Sequence, residues 1–394
     1  MKLVQINTFP YKATGSIMMS IHNAATVAGI DSYVVWGRGR KPENDHEFSI
    51  EDDIEIKIHG LLTRLTDRTG FFSKKATRNL LGILDLINPD IVHLHNIHGY
   101  YVNIPMLFGY LESKKIKVVW TLHDCWTFTG HCAYYSMIGC EKWKDGCNHC
   151  PQKKTYPTSV LMDSSRWNWE QKRRYFTSVD PVLVPVSDWL AGEVRKSYFK
   201  NSLIRTIYNG ISLEKYHPVE SDIRTQLEMK NKFMILCLAS EWTERKGYQD
   251  IIKLAGMLDD NSHIVMIGDL KEEIEEVEHL TILPRVNDLK DLLKLYTAAD
   301  VVFNPSLEET FGMTSIEAHA CGTPTIVYDV TALSEVMSEF PELIVEKHDL
   351  EAVLDIIQKL SVERVAPEKL REGCKKYREE IQIQEYLNLY EQIV

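Results

Sequence analysis

Short apolar runs rich in β-branched residues recur along the whole chain, and segments long enough for one or two helices separate them. The runs are, in chain order, KLVQINTF, SYVVWG, DIVHLHN, KVVWTLHD and PVLVPVS, and then FMILCLAS, HIVMIGD, LTILP, DVVFNPS, TIVYD and LIVEK. Continuous apolar runs alternating with helical patterns are typical of parallel strands buried on both faces. Because the alternation occurs twice, the pattern predicts an α/β chain of two Rossmann-like, doubly wound domains.

Turn residues predict the boundary between the two domains. Asn-Gly and His-Pro dipeptides in IYNGISLEKYHPVESD separate the two series of strands. This predicts an N-terminal domain over residues 1–208 and a C-terminal domain over residues 209–375. Residues 376–394 have the pattern of an amphipathic helix, which we expect to pack toward the N-terminal domain.

Polar residues follow the predicted strands at the point where each strand ends. They are His95 and Asn96, His123 and Asp124, and Ser187 and Asp188 in the first half, and Ser240, Glu241, Asp269, Asn304 and Ser306 in the second. Open parallel sheets bind ligands outside the carboxyl ends of their strands. Two such domains facing each other would place both sets around one central cleft. The alternative is that these residues cap helices, a common use of Ser, Asp and Asn.

Length and charge narrow the possible functions. A chain of 394 residues exceeds what one core supports, which agrees with two domains. No apolar stretch approaches the ~18 residues that span a bilayer, and the first residues lack the features of a signal peptide, so we expect a cytoplasmic protein. No basic stripe with interleaved aromatics dominates, which argues against nucleic acid as a partner.

The charge is unevenly divided between the two halves. The net charge is −11, yet residues 1–200 carry 25 Lys and Arg against 20 Asp and Glu. A mildly basic first half fits contact with an anionic surface or acceptor. Chance variation of surface residues is the alternative.

The segment VVFNPSLEETFGMTSIEAHACGTPTIVYD has the pattern of strand, loop, helix and strand. Gly322 and Pro324 end the helix, which we expect to start near Gly312 or Met313. The unpaired N–H groups and the dipole of such a helix end attract phosphate. Glycine at position 312 would let the ligand approach the backbone closely.

Two glutamates bracket this predicted phosphate site. A carboxylate can accept two hydrogen bonds from a vicinal diol, so Glu317 could hold a ribose and Glu309 the hydroxyls of a second sugar. In the alternative, Thr314 to Glu317 form a capping box, in which Glu317 bonds to the backbone of Thr314.

The whole segment PSLEETFGMTSIEAHACGTP resembles the signature of retaining GT-B glycosyltransferases of family 4, including its E-x7-E spacing. DIVHLHN and VVWTLHD resemble two N-domain strands of that family, IYNGISLEKYHP its interdomain segment, ERKGYQDII its Lys-Gly segment, and LLKLYTAADVVFNPS the elements that lead into the signature. The resemblance implies a GT-B fold. It also implies that residues 1–208 face the acceptor and that residues 209–375 bind a nucleotide sugar.

The resemblance also implies roles for single residues. Glu309 would contact the donor sugar, Glu317 the ribose, and Lys246 the donor diphosphate. The family usually has an arginine where Ser240, Glu241 or Trp242 stands here, and Arg245 is the candidate replacement. The expected donor-binding set is Glu317, Arg245, Phe311, Gly312, Met313, Thr314 and Ser240, and the catalytic set is Glu309, His123 and Lys246.

On the acceptor side, the resemblance assigns His123 to the transferred sugar, with Asp124 beside it and His95 as a further candidate. The stretch YKATGSIM takes the place of a glycine-rich acceptor-side loop, of which Gly15 and Ser16 remain.

The implied reaction is glycosyl transfer with retention, from a UDP- or GDP-linked sugar to a saccharide or lipid-linked saccharide, without a catalytic metal. Bacterial surface polysaccharide synthesis is the implied setting, because GHC and CP resemble parts of exopolysaccharide and colanic-acid-type transferases. A nucleotide-sugar epimerase of the same fold and an inactive nucleotide-sugar-binding module are the alternatives. The absence of a G-x-G-x-x-G motif after the first strand argues against a dehydrogenase.

Five of the eight cysteines fall within residues 125–150, which form an insertion in the first domain. Cys132, Cys140, Cys147 and Cys150 could bind a structural Zn²⁺ tetrahedrally, whereas free buried cysteines are the alternative.

Two further stretches, SSRWNWEQKRRYF and RLTDRTGFFSKKATR, mix basic and aromatic residues. Such mixtures suit a peripheral membrane contact at the inner face, although helices with solvated basic faces are the alternative.

Overall fold

Each apolar run singled out in the sequence forms a strand, and every strand pair is parallel. The computed structural model describes residues 1–271 and 274–394. It divides into a first unit, Met1–Tyr208 with Gln382–Val394, and a second unit, Asn209–Ile381.

The first unit is built on a six-stranded sheet. Its strands are β1 Lys2–Asn7, β2 Asp31–Trp36, β3 Glu47–Ser49, β4 Ile91–Leu94, β5 Lys117–Leu122 and β6 Val182–Pro185. Their order is β3-β2-β1-β4-β5-β6, the doubly wound order of dinucleotide-binding folds. The apolar pattern did not predict β3, which has three residues and only one of them fully buried.

The second unit repeats the same architecture. Its strands are β7 Phe233–Trp242, β8 Ser262–Leu270, β9 Leu280–Leu283, β10 Val301–Asn304, β11 Thr325–Tyr328 and β12 Ile344–Val345. The order β12-β11-β10-β7-β8-β9 is the same winding, with β7 in the place of β1. Two doubly wound sheets in separate α/β domains confirm the predicted fold class.

The helices follow the strands as the pattern predicts. In the first unit they are α1 Lys12–Val27, α2 Asp53–Thr66, α3 Lys74–Ile87, α4 Ile104–Lys114, α5 Ser165–Ser178 and α6 Asp188–Arg195. Those that follow are α7 Ile223–Gln226, α8 Tyr248–Ala255, α9 Leu289–Ala298, α10 Met313–Ala320, α11 Thr331–Val336, α12 Leu350–Val362, α13 Pro367–Gly373 and α14 Glu379–Ile393. In the described ranges, no helix combines the length and the apolar character needed to cross a bilayer.

The last helix completes the core of the first unit. Tyr386, Leu389 and Tyr390 of α14 pack in one apolar cluster with Leu3 and Ile91 of the sheet. The Tyr390 hydroxyl also hydrogen-bonds the Nδ1 of His93 at 2.7 Å, within the same core.

Candidate active site

The second sheet carries its candidate site residues at the point where the strand order reverses. Strands β7 and β10 are neighbours there, although β8 and β9 separate them in the sequence. Such switch points are where open parallel sheets bind ligands. The segments that follow the two strands are the 3₁₀ turn Glu244–Lys246 and the loop that leads into α10.

A glycine lets these two segments approach each other. Gly247 has a φ of +71°, and a Cβ added to it would lie 2.1 Å from the carbonyl oxygen of Pro305. Glycine is required because both the space and the positive φ exclude a side chain. The Leu307 N–H donates to the Arg245 carbonyl at 2.8 Å, which ties the turn to the loop.

Two cations of the turn converge on Glu309. The Lys246 Nζ forms an ion pair with the Glu309 carboxylate, and the Arg245 Nη1 lies 3.9 Å from Glu309 Oε2. Arg245 Nη1 also donates to the Glu308 carbonyl at 2.8 Å. Burial opposes ionisation of Glu309, but the charges of Lys246 and Arg245 outweigh it and lower its pKa below the ordinary value. Glu309 is therefore an anion at neutral pH.

The backbone of Glu309 is held by the start of α11. Its N–H donates to Thr331 Oγ1 at 2.9 Å, and its carbonyl accepts from the Ala332 N–H at 3.3 Å. Sequence reasoning missed Thr331, because no local pattern links it to a residue 22 positions earlier.

Helix α10 begins at the end of the same loop with no side-chain cap. It starts at Met313, as the sequence predicts, and its N-cap residue Gly312 has a φ of +98°. The N–H groups of Met313 and Thr314 have no partner within the helix, and the dipole places roughly half a positive charge at this end. Such an end suits an anion.

Glu317 does not form the capping box that was the alternative to a ribose contact. Its Oε2 accepts from the Tyr296 hydroxyl at 2.9 Å and its Oε1 from the Tyr216 hydroxyl at 3.3 Å. The tyrosines reach the carboxylate from outside α10, so it bonds to side chains instead of its own backbone. Burial raises the pKa of Glu317, and the two hydroxyl bonds act in the opposite direction. Both tyrosines were in segments quoted for the family resemblance, but nothing local marked them as partners of Glu317.

Two of the expected donor-binding residues do not present a side chain at the end of a strand. Ser240 is an exposed residue inside β7, which runs on to Trp242 past a register shift between Leu238 and Glu241. The prediction that the strand ends before Ser240 was therefore wrong, and Asp269 likewise lies inside β8. The Phe311 ring is only 2% exposed and packs edge-on against Tyr377, so its side chain belongs to the core.

In the first unit, the predicted histidines meet at the carboxyl ends of β4 and β5. The His95 Nδ1 lies 3.1 Å from the His123 Nε2, and the His95 Nε2 lies 3.3 Å from Gln5 Oε1. Burial lowers the pKa of His123 to about 4 and that of His95 well below its ordinary value. Both rings are therefore uncharged at neutral pH.

Asp124 has a histidine partner of its own. Its Oδ2 lies 2.9 Å from the His98 Nε2, and its Oδ1 accepts from the Trp126 N–H at 2.9 Å. The Tyr156 hydroxyl lies 3.0 Å from the other nitrogen of His98. Burial opposes ionisation of Asp124, but the charge and hydrogen bond of His98 lead the groups that lower its pKa below the ordinary value.

Gly15 and Ser16 do not form a loop. They lie in the first turns of α1, which starts at Lys12. A Cβ on Gly15 would lie 2.5 Å from the Phe9 carbonyl oxygen, so this glycine serves close packing of the helix against the preceding turn. The expected acceptor-side loop is in fact a helix start, of which Ser16 is an exposed residue.

The cysteine-rich insertion folds as three short 3₁₀ turns, Trp126–Phe128, Ser136–Ile138 and Lys142–Lys144, packed on α5 and α6. The Cys132 and Cys150 thiols share a hydrogen bond, and the Cys147 Sγ accepts from the Gly130 N–H at 3.1 Å. Cys140 is partly exposed.

Within the described residues, no three of the four candidate thiols lie within 4.8 Å of one another. Across residues 1–271 and 274–394, the one set of three or more potential ligands with donor atoms within 4.8 Å of one another is Asp260, Glu278 and His279. Two of these are exposed, and the set has no cysteine. Zinc bound by Cys132, Cys140, Cys147 and Cys150 stays a prediction, which elemental analysis of the purified protein tests.

Comparisons with known proteins agree with this architecture. The protein-family model described as Glycosyltransferase Family 4 matches residues 16–215. The family model described as Glycosyl transferases group 1 matches residues 219–380. The chain is 22% identical to the putative colanic acid biosynthesis glycosyl transferase WcaC of Escherichia coli K12, over the full length of both chains.

Two solved structures have the same fold. Sucrose-phosphate synthase of Thermosynechococcus elongatus superposes with a TM-score of 0.72 at 16% identity, covering 100% of this chain and 98% of that one. HepE of Anabaena, solved with UDP-glucose, superposes with a TM-score of 0.67 at 13% identity over the whole of both chains. With one family model matching half of its length and a second matching most of the rest, the chain belongs to glycosyltransferase family 4.

Proposed function

We propose that this glycosyltransferase moves a sugar from a nucleoside diphosphate sugar to a saccharide or lipid-linked saccharide, with retention of the anomeric configuration. The observation that carries the proposal is the pairing of Lys246 and Arg245 with Glu309 at the start of α10. Together these groups offer positive charge for a diphosphate and one carboxylate for sugar hydroxyls.

The charge balance supports a diphosphate ligand. One helix N-terminus supplies only about half a positive charge, which is less than the negative charge of two phosphates. Lys246 and Arg245 add two cations, and a bound diphosphate would share them with Glu309. Arg245 thereby becomes the candidate for the arginine that the family usually has earlier in the segment. This balance also supports transfer without a catalytic metal, since the developing phosphate charge has protein cations to meet it.

The geometry of Glu317 supports a ribose contact. Each of its oxygens accepts one tyrosine hydroxyl, which leaves a lone pair on each for the two hydroxyls of a vicinal diol. The UDP-glucose bound by HepE supports a uridine nucleotide as the first donor to test. The relationship to a colanic acid transferase supports an acceptor in bacterial surface polysaccharide synthesis.

We assign the contact with the transferred sugar to His123. Its ring is neutral at neutral pH because burial lowers its pKa to about 4, so it would act as a hydrogen-bonding group without carrying charge. The departing phosphate would take the acceptor proton on the same face of the sugar, which is the route to retention.

A thermal-shift screen of UDP and GDP sugars tests the donor first, because a ligand at 100 times its Kd stabilises the native state by about 2.7 kcal/mol. Release of the nucleoside diphosphate with a saccharide acceptor then tests transfer, and the anomeric configuration of the product tests retention. Full activity in EDTA is expected. Epimerised donor without transfer would contradict the proposal, as would donor binding without any turnover.

Two variants test the site. Glu309→Gln and Lys246→Met should each lower kcat by about 10²- to 10³-fold. Each substitution removes a protein charge next to the position where charge develops on the substrate in the transition state. Lys253→Met is the matched control, since Lys253 is an exposed lysine of the adjoining α8 that pairs with Asp250. Wild-type turnover in the Glu309 and Lys246 variants would overturn the assignment.

A further inference from the structure

Helix α2 of the first unit has an apolar stripe on its exposed side. Ile54, Ile58, Leu61 and Leu65 are 71%, 50%, 54% and 38% exposed, and their spacing of four, three and four residues places them on one helical face. Its buried face carries the polar residues His59 and Thr63 beside Ile56. The amphipathic pattern of this helix is therefore inverted relative to a helix that only covers a core.

The inward face of α2 is anchored through His59, whereas the buried Thr63 Oγ1 has no hydrogen-bond partner among the described residues. The His59 Nε2 accepts from the Gly70 N–H at 3.0 Å, and its Nδ1 hydrogen-bonds Ser73 Oγ at 2.7 Å. Burial lowers the pKa of His59 to about 3, so the ring stays neutral there. The orientation of α2 is thus fixed from inside, and the stripe is held outward.

A second apolar segment extends the stripe. Val160, Leu161 and Met162 are 63%, 65% and 55% exposed. The Val160 N–H donates to the Arg64 carbonyl at 2.7 Å, and the Met162 N–H donates to the Leu65 carbonyl at 3.2 Å. These bonds join the segment to the C-terminal end of α2. We call the seven apolar residues of α2 and this segment the α2 patch.

Basic side chains on and next to α2 lie close in sequence to the apolar residues of the patch and form no ion pairs among the described residues. Lys57, Arg64 and Arg68 are exposed, and within the described chain none of them forms an ion pair. Arg68 lies over the Trp167 ring at 4.4 Å, and Lys153 Nζ donates to the Leu161 carbonyl at 3.4 Å. Of the acidic groups at the start of α2, Asp52 pairs with Lys75 and Glu55 accepts from two backbone N–H groups, while Asp53 is exposed.

We propose that the α2 patch docks the first unit on an anionic lipid surface. Exposed apolar side chains bounded by unpaired Lys and Arg are the combination that enters the headgroup region and attracts anionic lipids. A monomeric soluble protein rarely exposes so contiguous an apolar surface without a partner. The charge of residues 1–200, with 25 Lys and Arg against 20 Asp and Glu, has the matching sign.

A series of ring contacts connects the buried face of α2 to the acceptor-side histidine cluster. The His59 ring packs 5.5 Å from the Tyr100 ring, which lies 6.3 Å from the Tyr156 ring, and the Tyr156 hydroxyl bonds His98 beside Asp124. Docking through α2 would hold this unit at the surface where a lipid-linked saccharide is anchored. The inference thus deepens the proposed function on its acceptor side, and rests on it only for that purpose.

The surface expectation from the sequence is partly corrected here. Of the aromatic and basic residues of α5 that suggested membrane contact, Trp169 is buried and Lys172 is 1% exposed, with its Nζ donating to the Trp126 and Thr129 carbonyls. The sequence did not mark Ile54, Ile58 and Leu61, because their alternation with polar residues fits an ordinary core-facing helix.

Flotation of the purified full chain with vesicles tests the proposal. Vesicles of phosphatidylglycerol with phosphatidylethanolamine should carry the protein, and vesicles of phosphatidylcholine alone should carry much less. The triple variant I58Q/L61Q/L161Q should lose at least ~10-fold in partitioning, since each exposed side chain contributes apolar area to the contact. Neutralising Lys57, Arg64 or Arg68 with Gln should cost about fivefold per charge on anionic vesicles.

Val362→Gln is the matched control, because Val362 is an apolar residue 90% exposed on α12 of the second unit. Vesicle binding equal in the wild type and the triple variant would overturn the proposal. The proposal would also be overturned if the wild type bound no vesicles and formed a dimer that the triple variant does not form. A second copy of the chain would then cover the patch. Glu309→Gln should float like the wild type, so a failure of the transfer chemistry leaves this result unaffected.

Discussion

At the scale of single residues, the carboxylates of the second unit are set by partners far away in the sequence. Glu309 takes its charge environment from Arg245 and Lys246, 64 and 63 positions earlier, and Glu317 takes its hydrogen bonds from Tyr216 and Tyr296. Neither carboxylate takes these partners from α10. This leaves both carboxylates oriented, with accepting capacity still free.

Tyr296→Phe should weaken donor binding through Glu317. Loss of the 2.9 Å hydroxyl bond costs about 1–2 kcal/mol, which corresponds to roughly 5- to 30-fold in kcat/KM. The bond favours the ionised carboxylate, so its removal raises the pKa of Glu317 further. The acid limb of the kcat/KM profile should therefore move to higher pH.

Tyr328→Phe is the matched control for this prediction. Tyr328 is also a buried tyrosine of the second unit that donates to a carboxylate, Asp250, at 2.9 Å. It should lower stability without moving the acid limb. An unshifted limb in Tyr296→Phe would mean that Tyr296 supports the fold alone.

At the scale of elements, the cysteine-rich insertion is packed into the first unit by aromatic and backbone contacts. Trp126, Phe128 and Trp143 are each at most 1% exposed, and the Trp169 indole N–H donates to the Trp143 carbonyl at 2.8 Å. Lys172 of α5 reaches into the insertion, with its Nζ 3.4 Å from the centre of the Trp126 ring. The aromatic residues of the insertion are thus buried together with α5.

Lys172→Met should destabilise the first unit by about 2–4 kcal/mol. The substitution keeps much of the side-chain volume but removes the two donors at 2.8 and 3.1 Å, leaving the Trp126 and Thr129 carbonyls buried without them. Urea unfolding followed by tryptophan fluorescence measures the loss.

Arg174→Met serves as the control for that measurement, because Arg174 is an exposed residue of the same helix. It should change the free energy of unfolding by less than about 0.5 kcal/mol. Equal stability of the two variants would show that the buried amino group of Lys172 adds nothing to the free energy of unfolding.

At the scale of the whole molecule, both units contain histidines that burial keeps uncharged. Burial lowers the pKa of His59, His93 and His319 to about 3 each, and that of His95 well below its ordinary value. A depressed pKa means that the unfolded chain binds protons below about pH 6.5 that the folded chain excludes. Stability is therefore lost as the pH falls from about 6.5.

We expect the free energy of unfolding to fall between about pH 6.5 and about pH 4, with each such histidine adding up to ~1.4 kcal/mol per pH unit. Urea titrations across this range measure the slope. His319→Gln should reduce the slope by one histidine's share, because Gln does not titrate in this range. A Gln oxygen can still accept the hydrogen bond that the Thr325 N–H donates to His319 Nε2 at 3.1 Å. A flat profile across this range would contradict buried neutral rings.

Local patterns were sufficient for the framework of the protein. Apolar runs predicted eleven of the strands through their burial on both faces, and Gly312 with Gly322 and Pro324 predicted the bounds of α10. Only β3 escaped, since a three-residue edge strand has too few buried positions to form a run. The strand-end rule also predicted where His95, His123 and Asp124 come together, because carboxyl ends of parallel strands share one edge.

What the sequence by itself determined was therefore the two repeated α/β units and the residue types available at their strand ends, because periodicity and turn chemistry are local. Only the tertiary structure decided the partners: the tyrosines on Glu317, Thr331 on Glu309, the hydrogen bond between the Cys132 and Cys150 thiols, and the outward face of α2. These depend on which distant segments meet in space, and a hydrogen bond, an ion pair or an exposed stripe exists only once packing has placed both sides.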